Sequence, residues 1–214
     1  MSINILLADD HMIVRDGICA LLEAQGDMKI IGTVDNGREA VAAAKRLQPD
    51  VSILDIGMPQ MNGIEATQLI CKALPNARVL ILSMHGDSEH VYRALQAGAR
   101  GYLLKESAGT LLVAALRAVY AGRRYLSESV NDMVMTEYLG FGHAVSPLSS
   151  LSQREREILQ LVVEGVGNAD VAKRLFISIK TVETYRSRLM QKLGIGNVPE
   201  LVRFAISHGI TQLK

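Results

Sequence analysis

The sequence has no tryptophan, two cysteines and no apolar run of the roughly 18 residues that a membrane-spanning helix needs. The missing run argues against a transmembrane protein, and the first residues lack the basic segment with which a signal peptide begins. Cys19 and Cys71 fall in predicted amphipathic helices without the spacing of metal ligands. This pattern favours buried free thiols in a reducing compartment over a catalytic thiol. The absences together predict a cytoplasmic protein that does not enter a membrane.

The sequence also has little net charge, since 23 Lys and Arg are balanced by 22 Asp and Glu. The charge is unevenly distributed, however. Residues 151–214 contain ten basic and six acidic residues, a net charge of +4, and the remaining thirteen basic and sixteen acidic residues give residues 1–150 a net charge of −3. A basic C-terminal region is typical of a domain that binds a polyanion, although this charge also occurs in proteins that bind no nucleic acid.

Hydrophobic patterning predicts an α/β domain in the first part of the chain. Five short apolar runs alternate with helix-length amphipathic segments up to about residue 122, as expected for a doubly wound, five-stranded parallel sheet. The runs cover residues 3–8, 29–34, 51–54, 79–82 and 101–104. In such a sheet the functional crevice lies at the carboxyl ends of the strands, where the winding order reverses.

The pattern changes after Gly122, where no further strand run appears. Residues 140–150 combine glycine, proline and serine, as linkers do. We therefore predict a first domain over residues 1–124, a linker over residues 125–148 with some helix around residues 128–139, and a second domain over residues 149–214.

The second domain is predicted to be a small all-α domain of four helices. Ser152 and Glu155 form the pattern of a capping box before one amphipathic segment. Asn168 and Ser178 are each predicted to cap the next segment along the chain.

Functional side chains are predicted at the ends of the strands. Asp9 and Asp10 follow the first run, Asp55 follows the third, Ser83 ends the fourth and Lys105 follows the fifth. Three carboxylates in one crevice suit a hard divalent cation such as Mg²⁺. With a hydroxyl and an ammonium group, they form a set able to perform phosphoryl transfer through a carboxylate nucleophile.

Each of these residues also has a structural interpretation. An aspartate after a strand is often a helix cap or a turn former, Ser83 alone would be a capping hydroxyl, and Lys105 alone a solvated charge. Tyr102 alone would be a half-buried strand aromatic, and Pro59 and Gly63 are interpreted as loop residues without chemistry. The coincidence of the carboxylates favours the functional interpretation.

The segments ADDH, DVSILDIGMPQMNGIEA, VLILSMH and AGARGYLLK resemble the receiver domain of bacterial response regulators, a flavodoxin-like fold, over residues 3–122. The resemblance implies that Asp55 accepts a phosphoryl group from the phosphohistidine of a sensor histidine kinase. It implies further that Asp10, Asp55 and the Gly57 carbonyl bind Mg²⁺, with Asp9 acting through water.

The same resemblance implies switching roles for three more residues. Ser83 would swing toward the acyl phosphate, Lys105 would pair with it, and Tyr102 would change rotamer to report the change at the surface. The family frequently has a proline after the lysine, whereas Glu106 stands here.

Helical periodicity divides the segment around residues 179–193 into two faces. Val182, Tyr185, Leu189 and Leu193 fall on one stripe, predicted to face the core of the second domain. A polar face, defined by six residues, points away: Lys180, Glu183, Thr184, Ser187, Arg188 and Gln191. Thr181, Arg186 and Lys192 lie on the flanks.

The segment that begins LSQREREILQ and ends KLGI resembles the LuxR-type helix-turn-helix of the NarL/FixJ subfamily, and the resemblance extends over about residues 149–208. The resemblance implies that the polar face enters the major groove of double-stranded DNA and that the flanks contact phosphates. The alternative is a solvated helix face with incidental charges.

Three departures from the family pattern bear on the DNA target. Tyr185 replaces the usual histidine and could pack in the core, contact a phosphate, or both. Ala169, in GNADVA, removes a lysine that could contact phosphate, and Glu183 could accept a hydrogen bond from a cytosine amino group or repel phosphate.

The sequence therefore predicts a response regulator, not an enzyme, in which phosphorylation favours a homodimer that binds DNA. Leu201, Val202, Ala205 and Ile206 share one face of the last helix, which could serve both the core and dimer pairing. One alternative is a magnesium-dependent phosphatase or phosphotransferase for small molecules. Another is a receiver that docks partners without phosphate.

The five histidines show no shared spacing that predicts a metal site. His11 and His85 lie near the predicted crevice, where they could tune it or serve as polar loop residues.

Overall fold

The computed structural model describes residues 2–128, 130–132, 147–208 and 210–211. The chain divides into two compact units, Met1–Gly142 and His143–Lys214. The division lies within the predicted linker. Residues 128 and 130–132 are helical, whereas residues 133–139 of the predicted linker helix lie outside the described residues.

The first unit is a doubly wound α/β fold with a parallel sheet in the order β2-β1-β3-β4-β5-β6, which confirms the predicted fold class. The strands are β1 (Ile3–Ala8), β2 (Met28–Val34), β3 (Val51–Asp55), β4 (Val79–Ser83), β5 (Gly101–Leu104) and β6 (Tyr125–Leu126). The helices are α1 (Met12–Glu23), α2 (Gly37–Leu47), α3 (Gly63–Ala73), α4 (Ser88–Gln96) and α5 (Ala108–Tyr120).

The sixth strand, β6, is absent from the sequence prediction, which counted five. It pairs in parallel with β5, with Gly101 opposite Tyr125, and the Tyr125 amide donates to the Arg100 carbonyl over 3.0 Å. Two residues are too few for an alternating pattern to develop. The strand therefore exists through its pairing with β5.

Alternating side chains of the central strands supply two separate apolar cores. Leu6, Leu54 and Ile81 pack with α2, α3 and α4 on one face of the sheet. Ile5 and Ile53 pack with α1 and α5 on the other. Burial on both faces explains why these strands are apolar almost throughout. Since β1 lies between β2 and β3, the winding order reverses there, and the carboxyl ends of β1 and β3 lie side by side.

The second unit contains the four predicted helices. They are α6 (Gln153–Val163), α7 (Asn168–Leu175), α8 (Ile179–Leu193) and α9 (Val198–Ser207), preceded by a 3-10 turn over Pro147–Ser150. The apolar core includes Ile158, Val171, Val182, Leu189 and Leu201.

Two of the three predicted caps of this unit are confirmed. Ser152 and Glu155 form a reciprocal capping box, and the Ser178 side chain accepts from the Thr181 amide over 3.1 Å. The prediction for Asn168 is wrong, because Gly167 is the N-cap of α7 and Asn168 is the first helical residue. The Asn168 side chain instead accepts a hydrogen bond from Arg186, a tertiary contact that the local pattern does not reveal.

Across the described part of the chain, no helix has the length and apolar character required to span a membrane.

Candidate functional site

The ends of β1 and β3 bring three carboxylates together, which we call the acidic crevice: Asp9, Asp10 and Asp55. Ala8 is paired with Leu54 in the sheet, so Asp9 and Asp55 continue from neighbouring strands. Both are 1% exposed, whereas the Asp10 side chain is 21% exposed. The predicted convergence of these three residues is therefore present in the structure.

Lys105 enters the crevice from the end of β5. Its Nζ lies 2.8 Å from Asp9 Oδ2 and 2.9 Å from Asp55 Oδ2, and the side chain is 7% exposed. Burial alone would lower the pKa of Lys105, but attraction to Asp55 and Asp9 outweighs it and raises the pKa. Lys105 is thus a buried cation held by two carboxylates, which excludes the solvated alternative.

The contact with Lys105 does not fully compensate for the burial of the Asp55 carboxylate. Burial raises the pKa of Asp55 to about 6, against the opposing attraction of Lys105, and Asp9 adds to the increase. The Oδ1 atom of Asp55 is buried and has no hydrogen-bond partner among the described residues. A cation or a covalent partner at Asp55 would relieve this unfavourable burial of charge.

The donor set of the crevice fits a hard divalent cation. Asp9, Asp10, His11 and Asp55 offer ligand atoms that all lie within 4.8 Å of one another. Carboxylate oxygens are ligands that Mg²⁺ prefers, with water completing its octahedron. His11 Nδ1 lies 2.9 Å from Asp10 Oδ1, and Gly57 is partly exposed in the loop after β3.

Ser83 and Tyr102 converge on the loop that follows β4. The Ser83 hydroxyl accepts from the His85 amide over 2.9 Å, and the Tyr102 hydroxyl donates to the His85 carbonyl over 2.5 Å. Both side chains are fully buried, so the interpretation of Tyr102 as a half-buried aromatic is wrong. His85 thereby connects the end of β4 to the tyrosine of β5.

Gly63 and Asn62 support the crevice in a way that the sequence analysis missed. A side chain on Gly63 would place its Cβ 2.0 Å from the Asp55 backbone oxygen, and the Gly63 amide donates to Ile56 over 3.0 Å. Asn62 is buried and caps α3 by accepting from Glu65. Gly63 is therefore more than a loop residue: it lets α3 begin against the backbone of Asp55. The position of Gly63 at the start of a helix is the sequence feature from which this role could have been predicted.

The structure confirms the two faces predicted for α8. Val182 and Leu189 are buried, and Tyr185 and Leu193 pack against the same core. All six residues of the polar face are exposed: Lys180, Glu183, Thr184, Ser187, Arg188 and Gln191. Two positive side chains, a carboxylate and several hydrogen-bonding groups thus lie on one side of a helix.

The flanking residues of α8 all have contacts within the second unit. Thr181 lies 2.7 Å from the Ser178 hydroxyl, and Arg186 donates to Asn168 over 2.5 Å. Lys192 Nζ lies 2.7 Å from the buried carboxylate of Glu155. Burial would raise the pKa of Glu155, but hydrogen bonds from Lys192 and Ser152 outweigh it and lower the pKa. Arg186 and Lys192 therefore have structural partners as well as predicted roles at phosphates.

The chain matches two protein families. Residues 5–117 match the response regulator receiver domain, and residues 149–205 match the bacterial regulatory proteins of the luxR family. A relative similar over nearly the whole length is the oxygen regulatory protein NreC of Staphylococcus carnosus. It is 38% identical over 209 residues, which cover 95% of this chain and 96% of the relative.

Two solved structures show the same resemblance. A LuxR-family two-component response regulator from Aurantimonas is 34% identical, with a TM-score of 0.63 over 65% of this chain and 99% of that one. The two-component response regulator RcsB, solved as a complex with DNA, is 28% identical, with a TM-score of 0.61 over 97% of this chain and 99% of RcsB.

Proposed function

Because the chain belongs to the two-component response regulators that join a receiver domain to a LuxR-type helix-turn-helix domain, we propose that Asp55 is its phosphorylation site and that phosphorylation controls its binding to promoter DNA. The observation that carries the proposal is the buried Asp55 carboxylate, which contacts Lys105 through Oδ2 and leaves Oδ1 unpartnered. The phosphoryl donor is the phosphohistidine of a sensor histidine kinase.

The transfer is a substitution at phosphorus. An Asp55 oxygen attacks, a P–O bond forms as the P–N bond to the histidine breaks, and the departing imidazole nitrogen takes up a proton. Lys105 is close enough to exchange its contacts with Asp9 and Asp55 for the incoming phosphoryl oxygens. Asp10, Asp55 and the Gly57 carbonyl would hold Mg²⁺, with Asp9 acting through water, and the bound ion would neutralise charge on the phosphoryl group.

The loop after β4 transmits the effect of phosphorylation from Asp55 to Tyr102. Once the phosphoryl group is present, the Ser83 hydroxyl donates to one of its oxygens. Since Ser83 also accepts from the His85 amide, and the His85 carbonyl accepts from Tyr102, movement of Ser83 is transmitted to Tyr102. The result is a shift between two conformations of the receiver, which controls dimerisation.

The second domain binds DNA through α8. The polar face lies in the major groove, with Lys180, Glu183, Thr184, Ser187 and Arg188 at the bases, and Thr181, Tyr185, Arg186 and Lys192 contact the backbone from the flanks. The exposure of the polar face supports this role, as does the relative RcsB, whose structure is a complex with DNA.

DNA binding is proposed to require a homodimer. Leu201 and Ala205 of α9 are buried in the domain core, whereas Val202 and Ile206 are partly exposed. These two partly exposed apolar residues support pairing through α9, and a symmetric pair binds two half-sites more tightly than one small domain binds one.

The test measures intact mass and DNA affinity after incubation with Mg²⁺ and acetyl phosphate. Wild type is compared with Asp55→Asn and with the matched control Asp27→Asn, an exposed site outside the crevice. We expect one phosphoryl group, and phosphate-dependent tightening on DNA, in wild type and Asp27→Asn alone. An adduct on Asp55→Asn, or tighter DNA binding by that variant after phosphodonor treatment, would contradict the proposal.

A further inference from the structure

A second group of metal-ligating side chains lies between β4 and the start of α4. His85, Asp87 and His90 offer ligand atoms within 4.8 Å of one another. The imidazole rings of His85 and His90 are stacked, with centroids 4.8 Å apart and planes inclined by 12°. The sequence spacing of the histidines predicted no site, but the loop folds back onto the first turn of α4 and brings the three residues together.

His90 is the buried member of this group. Its side chain is 2% exposed, and its Nδ1 lies 2.6 Å from each carboxylate oxygen of Asp87. Asp87 also caps α4 by accepting from the His90 amide over 3.1 Å. In the neutral imidazole a proton on Nδ1, donated to Asp87, leaves Nε2 with a lone pair.

Within the described structure, no hydrogen-bond donor contacts that lone pair. Nε2 of His90 is buried and has no hydrogen-bond partner among the described residues. An unsatisfied buried polar atom carries a free-energy cost, because burial removes its hydrogen bonds to water. A ligand that accepts the lone pair would remove this cost, and a metal ion does so.

We infer that His85 and His90 bind a divalent transition-metal ion, such as Zn²⁺, and that Asp87 orients His90 for that ion. Imidazole nitrogens suit Zn²⁺ and its neighbours, whereas Mg²⁺ prefers oxygen ligands. A carboxylate on the far nitrogen of a metal-binding histidine fixes its tautomer and orientation. The site therefore differs in chemistry from the acidic crevice.

His85 and Asp87 form the exposed side of this group, from which an ion would enter. Zn²⁺ binds nitrogen at about 2.0–2.1 Å and prefers tetrahedral geometry. His85 is partly exposed on the loop and can turn toward the ion, and the Asp87 side chain is 53% exposed. Burial lowers the pKa of His85, which keeps its imidazole neutral and able to bind metal at neutral pH.

Such an ion would hold the loop that links the proposed switch residues. The His85 backbone contacts both Ser83 and Tyr102, so a metal on the His85 ring would restrain that loop. Metal binding itself does not depend on phosphorylation of Asp55, and the two proposals can therefore fail separately.

The experiment is calorimetric titration of Zn²⁺ into the full-length, unphosphorylated protein in excess Mg²⁺. We expect one Zn²⁺ per chain for wild type and for His11→Gln, a control that removes the histidine beside the acidic crevice. His85→Gln and His90→Gln should lose this binding. Asp87→Asn keeps an N-cap residue and should bind about 10–100-fold more weakly, as expected for a residue that orients a ligand.

His85→Gln is the decisive variant, because His85 is partly exposed and its replacement leaves the buried His90 in place. Circular dichroism establishes that each variant is folded. The inference is overturned if wild type binds no Zn²⁺, if His85→Gln binds it with wild-type affinity, or if His11→Gln alone abolishes binding.

Discussion

Charged side chains are buried in the first unit and exposed in the second, at the two places where function is proposed. Asp9 and Asp55 are 1% exposed and share one buried lysine. Lys180, Glu183 and Arg188 of α8 instead project into solvent. Buried charges interact strongly because little water screens them. Each exposed charge interacts only weakly, so exposed charges contribute through their combined arrangement.

The difference explains what each unit can bind. In the proposed function, the buried carboxylates around one lysine bind a small charged species at one position and respond to a single added group. An exposed polar helix face has room for a long polyanion, which several side chains can contact at once. Three changes, taken from the largest expected effect to the smallest, test this comparison.

The first prediction concerns the pH dependence of stability in the first unit. Burial raises the pKa of Asp55 from 3.8 to about 6, so the folded protein retains a proton that the unfolded chain releases. The resulting stabilisation is present below pH 3.8 and is lost as the pH rises through about 6. Without Mg²⁺, the free energy of unfolding of Asp55→Asn relative to wild type should therefore grow by about 2 kcal/mol between pH 4.5 and 7.5.

Urea denaturation at several pH values measures this change in the free energy of unfolding. Asp27→Asn is the matched control, because the hydrogen bond from Arg117 lowers the pKa of Asp27 and keeps its titration below this range. Mg²⁺ should reduce the difference in the free energy of unfolding between Asp55→Asn and wild type at pH 7.5. If that difference were independent of pH, Asp55 would not be the buried charge that the structure describes.

The second prediction concerns the exposed charges of α8. Arg188→Ala should weaken DNA binding by about 1–3 kcal/mol, because it removes one positive group from the polar face. Arg46→Ala, an identical change at an exposed position of α2, should leave the affinity unchanged. Fluorescence anisotropy with a selected DNA site, over a series of salt concentrations, measures both. Equal losses in the two variants would mean that net charge, and not the polar face, determines binding.

The third prediction concerns a buried charge of the second unit that has a structural role. Glu155 joins a capping box to an ion pair with Lys192. Glu155→Ala should destabilise the second unit by about 1–2 kcal/mol, since it removes the cap and leaves Lys192 unpaired. Glu183→Ala, the same change at an exposed position of α8, should alter stability by less than about 0.5 kcal/mol.

Thermal unfolding of the full-length variants, followed through helix content, measures this difference. If Glu183→Ala destabilised the second unit as much as Glu155→Ala does, burial would not determine which charged side chains stabilise this domain.

Local patterns in the sequence determined most of the architecture. The apolar strands, the capping box at Ser152, the cap at Ser178 and the buried stripe of α8 are all visible in short segments. They could be predicted because strand and helix periodicity, and hydrogen bonds across three residues, depend on neighbours in the chain. The clustering of Asp9, Asp10 and Asp55 followed from the same reasoning, since parallel strands end at one edge of the sheet.

Only the tertiary structure decided which of these groups touch. The contacts of Lys105 with Asp9 and Asp55, the approach of Gly63 to the Asp55 backbone and the stacking of His85 on His90 have no signature in local spacing. The same holds for β6, which depends on pairing with β5, and for Asn168, whose side chain bonds Arg186 instead of capping α7. Such contacts arise from packing between elements distant in the chain or across a loop, and the geometry that makes them exists only once the sheet and helices have assembled.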